Sequence, residues 1–125
     1  MNNTKVIQEN ELLTKAVEVT NLLAEGKFIE AMEQYLDDDV HLYEGNNEPK
    51  IGKEFCLAEE RNLLDTVVAF HGYNVLSGPA VKDDTTFYEA VMEFRTNDGK
   101  EHKFEQVVRT KWKNGKIVNE RYYHV

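Results

Sequence analysis

The sequence predicts an α+β fold, with three helices in the N-terminal half packed on a strongly curved antiparallel sheet. Two patterns carry the prediction. Up to about residue 68 most apolar residues recur at spacings of three and four, the period of a helix face; from Ala69 onward they alternate with polar residues between turn signals, the period of a strand. Helices first and a meander of strands afterwards is the order of a domain whose helices cover one face of a sheet. A length of 125 residues, 41% hydrophobic and 30% charged, suffices for one core, so residues 1–125 are read as a single domain.

The first helix runs from Glu9 to Glu25 with Leu12, Ala16, Val19 and Leu23 on one face, and Gly26 ends it because glycine accepts the left-handed conformation of a helix C-cap. A second, Lys27 to about Leu36, sets Phe28, Met32 and Leu36 on one stripe. The acidic run Asp37-Asp38-Asp39 breaks that period and is read as a solvated helix end, Val40 to Glu44 as a first strand, and Gly45, Asn46, Asn47 and Pro49 as a loop. The third helix, Lys53 to about Val68, carries Leu57, Leu64 and Val68. Four strands follow at about 69–76, 86–96, 102–112 and 116–124, separated by Ser77-Gly78-Pro79, Asp83-Asp84, Asn97-Asp98-Gly99 and Asn114-Gly115. Asn114-Gly115 is the strongest turn signal, since both central residues of a tight primed turn need positive φ.

With 15 basic against 23 acidic residues and a net charge of -8, the molecule's field repels phosphate backbones and anionic membranes, so neither nucleic acid nor a membrane is an expected partner. No apolar run approaches the roughly 18 residues of a membrane span. The opening Met1-Asn2-Asn3-Thr4-Lys5 lacks the apolar core of a signal peptide, and a cytoplasmic protein is the expectation. Cys56, the single cysteine, excludes an internal disulfide and a thiolate metal cage and is expected to be a buried, unreactive thiol.

Alternation sorts each strand into two faces. Tyr88, Ala90, Met92 and Phe94 share one side, opposite Glu89, Glu93 and Arg95; Phe104, Gln106, Val108, Thr110 and Trp112 share another, opposite Lys103, Glu105, Arg109 and Lys111. In the last strand Ile117, Asn119, Arg121 and Tyr123 oppose Val118, Glu120, Tyr122 and His124, and neither set is cleanly apolar. Polar residues on both faces are expected of a strand that lines a partly hydrated cavity on one side and meets solvent or a partner subunit on the other.

The run Gly26-Lys27-Phe28-Ile29-Glu30-Ala31-Met32-Glu33-Gln34-Tyr35-Leu36-Asp37-Asp38, then Glu48-Pro49-Lys50-Ile51-Gly52, and finally Trp112-Lys113-Asn114-Gly115-Lys116-Ile117-Val118 resemble the SnoaL-like and ketosteroid-isomerase-like branch of the nuclear-transport-factor-2-like superfamily. The resemblance covers nearly the whole chain. It implies a cone-shaped, cystatin-like fold whose sheet wraps a pocket capped by the helices, and a homodimer. Members include isomerases, cyclases, dehydratases and hydrolases as well as proteins with no catalytic role, so the resemblance implies an architecture and leaves the reaction open. Counted without gaps, the family's general-base aspartate falls on Tyr43, its oxyanion-hole tyrosine on Val19 and the neighbouring protonated aspartate near Val108, so the ketosteroid isomerase machinery is not retained. The same comparison turns Val118, Glu120, Tyr122 and His124 toward the pocket. Together with the strand faces it implies a site lined by Tyr43, Tyr88, Met92, Gln106, Val108, Thr110, Trp112 and Tyr122.

Glu120 and His124 are the candidate acid or base groups. A desolvated carboxyl has a raised pKa and a histidine titrates near neutrality, but four residues along one strand separate their Cβ atoms by about 13 Å, too far for a dyad. Glu120 reads more simply as a structural carboxylate paired with an arginine or lysine at the rim, and His124 as a fraying penultimate residue. His41 and His71 lie on strands that could bring histidines together at a metal, yet no local ligand spacing supports one, and neither a metal nor a cofactor is expected. Trp112, Gln106 and Thr110 on one face favour a pocket over a sealed core, because buried polar groups require partners. The expectation is a binding pocket for a small, largely apolar metabolite. One alternative is a non-catalytic protein-interaction module that uses the outer sheet face; another is an isomerase, cyclase or hydrolase with Glu120 or His124 as acid or base.

Overall fold

In the computed structural model, which describes residues 3–125, helix α1 spans Asn3–Ala24 and so begins ahead of Glu9, where the periodicity becomes legible. Met1 and Asn2, the start of the stretch read above for a signal peptide, lie outside the described residues. Gly26, at φ +78°, closes α1: Lys27 N–H donates to the Leu22 carbonyl at 2.9 Å and Gly26 N–H to the Leu23 carbonyl at 3.0 Å, the pair of bonds made by a glycine C-cap. Helix α2 (Phe28–Tyr35), strand β1 (Leu36–Glu44), the short strand β2 (Lys50–Ile51) and helix α3 (Lys53–Thr66) follow. Strands β3 (Val67–Lys82), β4 (Thr85–Thr96), β5 (Glu101–Lys113) and β6 (Lys116–His124) complete the chain.

Asp37, Asp38 and Asp39 belong to β1 and are not a helix end. Leu36 already pairs with Ile117 of β6, and Leu36, Val40 and Leu42 are buried while Asp38 and Asp39 face solvent. Lys50 and Ile51, inside the segment read as a loop, pair with Leu42 and His41.

The sheet runs β2-β1-β6-β5-β4-β3 and is curled without closing. It is antiparallel except where β1 and β6 run parallel, so it is mixed; β1 returns beside the last strand, out of sequence order, and covers an edge that the meander alone would leave open. Helix α1 lies over β3, and α3 packs on α2 and β1.

Asn114 and Gly115 take φ +52° and +75° between β5 and β6, as a primed turn requires. Ser77-Gly78-Pro79, by contrast, is no turn: β3 runs through it to Lys82, bulging against β4 between Val75 and Ala80, and the chain reverses at Asp83-Asp84.

Two buried clusters organise the interior. One joins Ala16 and Val19 of α1 to Tyr35, Leu36, Val40, Leu42, Cys56, Trp112 and Ile117. The other joins Tyr73, Tyr88, Ala90 and Val108, with Leu23, Phe28, Met92 and Tyr122 packed against it. Cys56 is buried, and desolvation pushes its thiol up, away from the reactive thiolate.

Candidate functional site

Between the helices and the concave face of the sheet lies a cavity of about 620 Å³. Its apolar wall comes from the helices, with Val19, Leu23, Phe28, Ala31 and Met32, and from Leu36, Leu42 and Ile117 of the sheet. Its polar wall comes from strands β3 to β6, with Tyr73, Tyr88, Gln106, Glu120 and Tyr122. Glu44, Lys50, Glu59, Glu60, His102 and His124 add the ionisable groups of the lining.

Glu120 is 7% exposed. It pairs across the ladder with Thr110, whose hydroxyl donates to Oε2 at 2.5 Å, while the Tyr122 hydroxyl donates to Oε1 at 2.5 Å. Burial pushes its carboxyl up; the two hydroxyl bonds oppose that, the charge of Glu44 adds to it, and Arg109 lowers it. Beside it the Tyr73 hydroxyl donates to that of Tyr88 at 3.3 Å. Desolvation carries Tyr73 up to about 12 and Tyr88 and Tyr122 well above the usual phenol range, and the charge of Glu120 raises all three further.

A second ionisable pair is made by His124, whose Nε2 lies 2.7 Å from Glu44 Oε2. His124 is held in β6 opposite Gln106, and Val125 N–H donates to the Glu105 carbonyl at 3.0 Å, so the strand is paired to its end. Phe94, His102 and Phe104 stack alongside, with ring centroids 4.9 Å apart for Phe94 and His102 and 6.2 Å for His102 and Phe104.

Of the residues singled out in the sequence, Tyr88, Met92, Gln106, Glu120, Tyr122 and His124 line the cavity. Four expected beside them lie elsewhere. Tyr43 is on the opposite face of β1, under the Arg121 guanidinium at 4.2 Å, because its neighbours Leu42 and Glu44 take the inward parity. The gap-free count that put the family's base position on Tyr43 thus falls on a residue facing away from the cavity. Val108 is wholly buried beneath the floor, within the cluster of Tyr73, Tyr88 and Ala90. Thr110 acts one step back, through Glu120. Trp112 is core: its indole N–H donates to Thr86 Oγ1 at 2.9 Å and its ring meets Tyr35 edge-on at 5.9 Å.

Val118 is displaced too. Lys111 pairs with Asn119 and Trp112 with Ile117, so Val118 is the extra residue of a bulge, and Ile117 takes the inward place below Glu120. The structural alternative for Glu120 also changes, since its hydrogen-bond partners among the described residues are hydroxyls and not an arginine or lysine.

Glu44, Glu60, Tyr73 and His102 line the cavity without having been singled out as its wall. Tyr73 had a legible signal, the alternation of β3; Glu44 becomes inward-facing only once the parity of β1 is known. His41 lies on the outer face beside Tyr43, and His71 pairs with Glu101 at 2.9 Å. Among the described residues no group of three or more His, Cys, Asp or Glu side chains converges as a metal cage would, and no helix is long and apolar enough to cross a membrane.

No protein-family model matches the sequence, and no curated protein matches it. Solved structures do. A Mesorhizobium loti protein provisionally assigned as a SnoaL-like polyketide cyclase is 28% identical, with 90% of this chain and 97% of that one covered and a TM-score of 0.77. An NTF2-like protein of unknown function from Burkholderia pseudomallei is 11% identical over 92% of this chain and 91% of that one, at a TM-score of 0.76. An LEH-like epoxide hydrolase from M. tuberculosis is 14% identical over 94% and 84%, at a TM-score of 0.74. The chain has the fold of the SnoaL-like and nuclear-transport-factor-2-like superfamily, in agreement with the motifs that resemble it.

Proposed function

We propose that the chain binds a small, largely apolar molecule in this cavity and that Glu120 is the group that exchanges a proton with it. The observation that carries the reading is a buried carboxylate, fixed through both oxygens, in the wall of a cavity of about 620 Å³. That volume falls within the roughly 300–1,000 Å³ of small-molecule pockets. A sealed core in the same place would have favoured the interaction module.

The hydroxyl bonds hold the carboxyl in one orientation while burial raises its proton affinity, the combination that suits a general acid or base. His124, oriented by Glu44, supplies a second proton-transfer group on the same wall. Structural neighbours assigned as a cyclase and an epoxide hydrolase lend weight to small-molecule chemistry in such a cavity.

The test is a thermal-shift screen of the purified chain against steroids, aromatic polyketides and short-chain acids. A ligand of the native state at about 100 times its Kd stabilises by roughly 2.7 kcal/mol, a shift of several degrees. Met32→Trp, which fills the apolar end of the cavity, should abolish it. A hit that survives this variant is bound elsewhere and refutes the reading.

A further inference from the structure

The groups around Glu120 offer it hydrogen bonds but no positive charge from inside the cavity. Its two oxygens accept from Thr110 and Tyr122 at 2.5 Å each. Tyr73, Tyr88 and Gln106 complete the polar wall, and every one of them is neutral. Arg109 is the basic group whose field reaches Glu120, and it does so from the other face of the sheet, where its guanidinium donates to Asn119 Oδ1 at 2.7 Å. Lys50, the lysine of the lining, exerts its field on Glu60 and Cys56.

The remaining charged side chains of the lining are acids. Glu44, Glu59, Glu60 and Glu120 stand against the single lysine, with His102 and His124 able to carry charge when protonated. A ligand carboxylate or phosphate entering this cavity meets like charge. A ligand cation meets a fixed carboxylate and the phenol rings of Tyr73, Tyr88 and Tyr122, whose faces and hydroxyl oxygens are electronegative.

We infer that the ligand is an apolar molecule bearing a basic amine, whose ammonium group seats against Glu120 among the tyrosines while its apolar body lies on Leu23, Phe28 and Met32. The inference rests on the reading of the cavity as a binding site and narrows it to one charge class. The ammonium provides within the cavity the opposite charge that the protein itself supplies only from across the sheet, and so offsets the cost of a buried carboxylate whose lone pairs are otherwise held only by hydroxyls.

Three probes with one apolar body separate the charge classes: 2-(aminomethyl)naphthalene, 2-(hydroxymethyl)naphthalene and 2-naphthoic acid, titrated calorimetrically into the full chain at neutral pH. The amine is expected to bind at least about tenfold more tightly than the alcohol, as a charge-assisted hydrogen bond implies, with the acid weakest. This ranking in the wild-type chain tests the inference whether or not any variant folds. In Glu120→Gln the amine should fall to within about threefold of the alcohol, whose own binding stays nearly constant, since the loss of the charge removes its preference alone. An alcohol or acid that binds as tightly as the amine overturns the inference and leaves the pocket standing, and so does an amine preference that persists in a folded Glu120→Gln chain. Absence of binding by all three probes counts against the pocket reading and takes the inference with it.

Discussion

Glu120 shows how one side chain couples stability to chemistry. Burial raises its pKa in the folded chain above the unfolded value, so the native state holds the proton more tightly than the unfolded state does. The stability this contributes is complete below the unfolded pKa and is lost as pH rises through the folded one. Glu120→Gln cannot titrate. Compared with wild type by urea unfolding, its relative stability should therefore improve as pH rises from about 4.5, the ordinary value for this group, toward neutrality. Parallel pH profiles for the two chains would show that Glu120 does not titrate from a buried state. The inward place of Glu120 was legible from parity and the family resemblance, but its partners were not. Thr110 and Glu120 meet only through the register of β5 against β6, which a bulge shifts, and alternation within one strand carries no register. Trp112 was misplaced for a related reason: a polar atom on an apolar face signals a partner, and here the partner was Thr86 of the neighbouring strand.

At the scale of elements, periodicity located all three helices and the four long strands, while irregularities in the strands escaped it. Gly78 and Pro79 carry the composition of a turn, yet β3 continues because Ala80, Val81 and Lys82 still find partners in Phe87, Thr86 and Thr85. Gly78 has φ +85°, and a Cβ built there would stand 2.8 Å from the Phe87 carbonyl oxygen. A left-handed conformation costs a residue with a side chain about 1–2 kcal/mol, and the clash adds to it. Gly78→Ala should therefore lower the unfolding free energy by more than about 1 kcal/mol in urea titration, with the m-value unchanged. A neutral effect would mean that the bulge relaxes without resistance. The aspartate run at the start of β1 escaped for the opposite reason, since exposed acids imitate a solvated helix end whenever the apolar alternation around them is short.

For the molecule as a whole, the outer face of the sheet is the surface that the cavity does not explain. Phe87, Arg109, Arg121 and Tyr43 lie opposite one another across β4, β5, β6 and β1, with Val107 and Tyr123 forming a neighbouring pair. Phe87, Val107 and Tyr123 are 39%, 38% and 48% exposed, large apolar side chains on a face that no helix covers. Beside them Arg109 Nε is buried without a hydrogen-bond partner, a donor that a facing surface can satisfy. The family resemblance implies a homodimer, and this face has the character such an interface needs: apolar and aromatic side chains interleaved with arginines. Light scattering on the purified chain should then give twice the 14.5 kDa of one copy. Val107→Glu sets a new carboxylate beside Glu89, its partner across the ladder, and at the centre of the proposed contact. It should return the mass to that of a single copy while the circular dichroism stays unchanged, because Val107 contributes no buried contact to the lone fold comparable with Val108 on the other face. A wild-type chain that scatters as one copy at micromolar concentration would remove the dimer expectation and leave the fold and the cavity untouched, since neither draws a residue from a second chain.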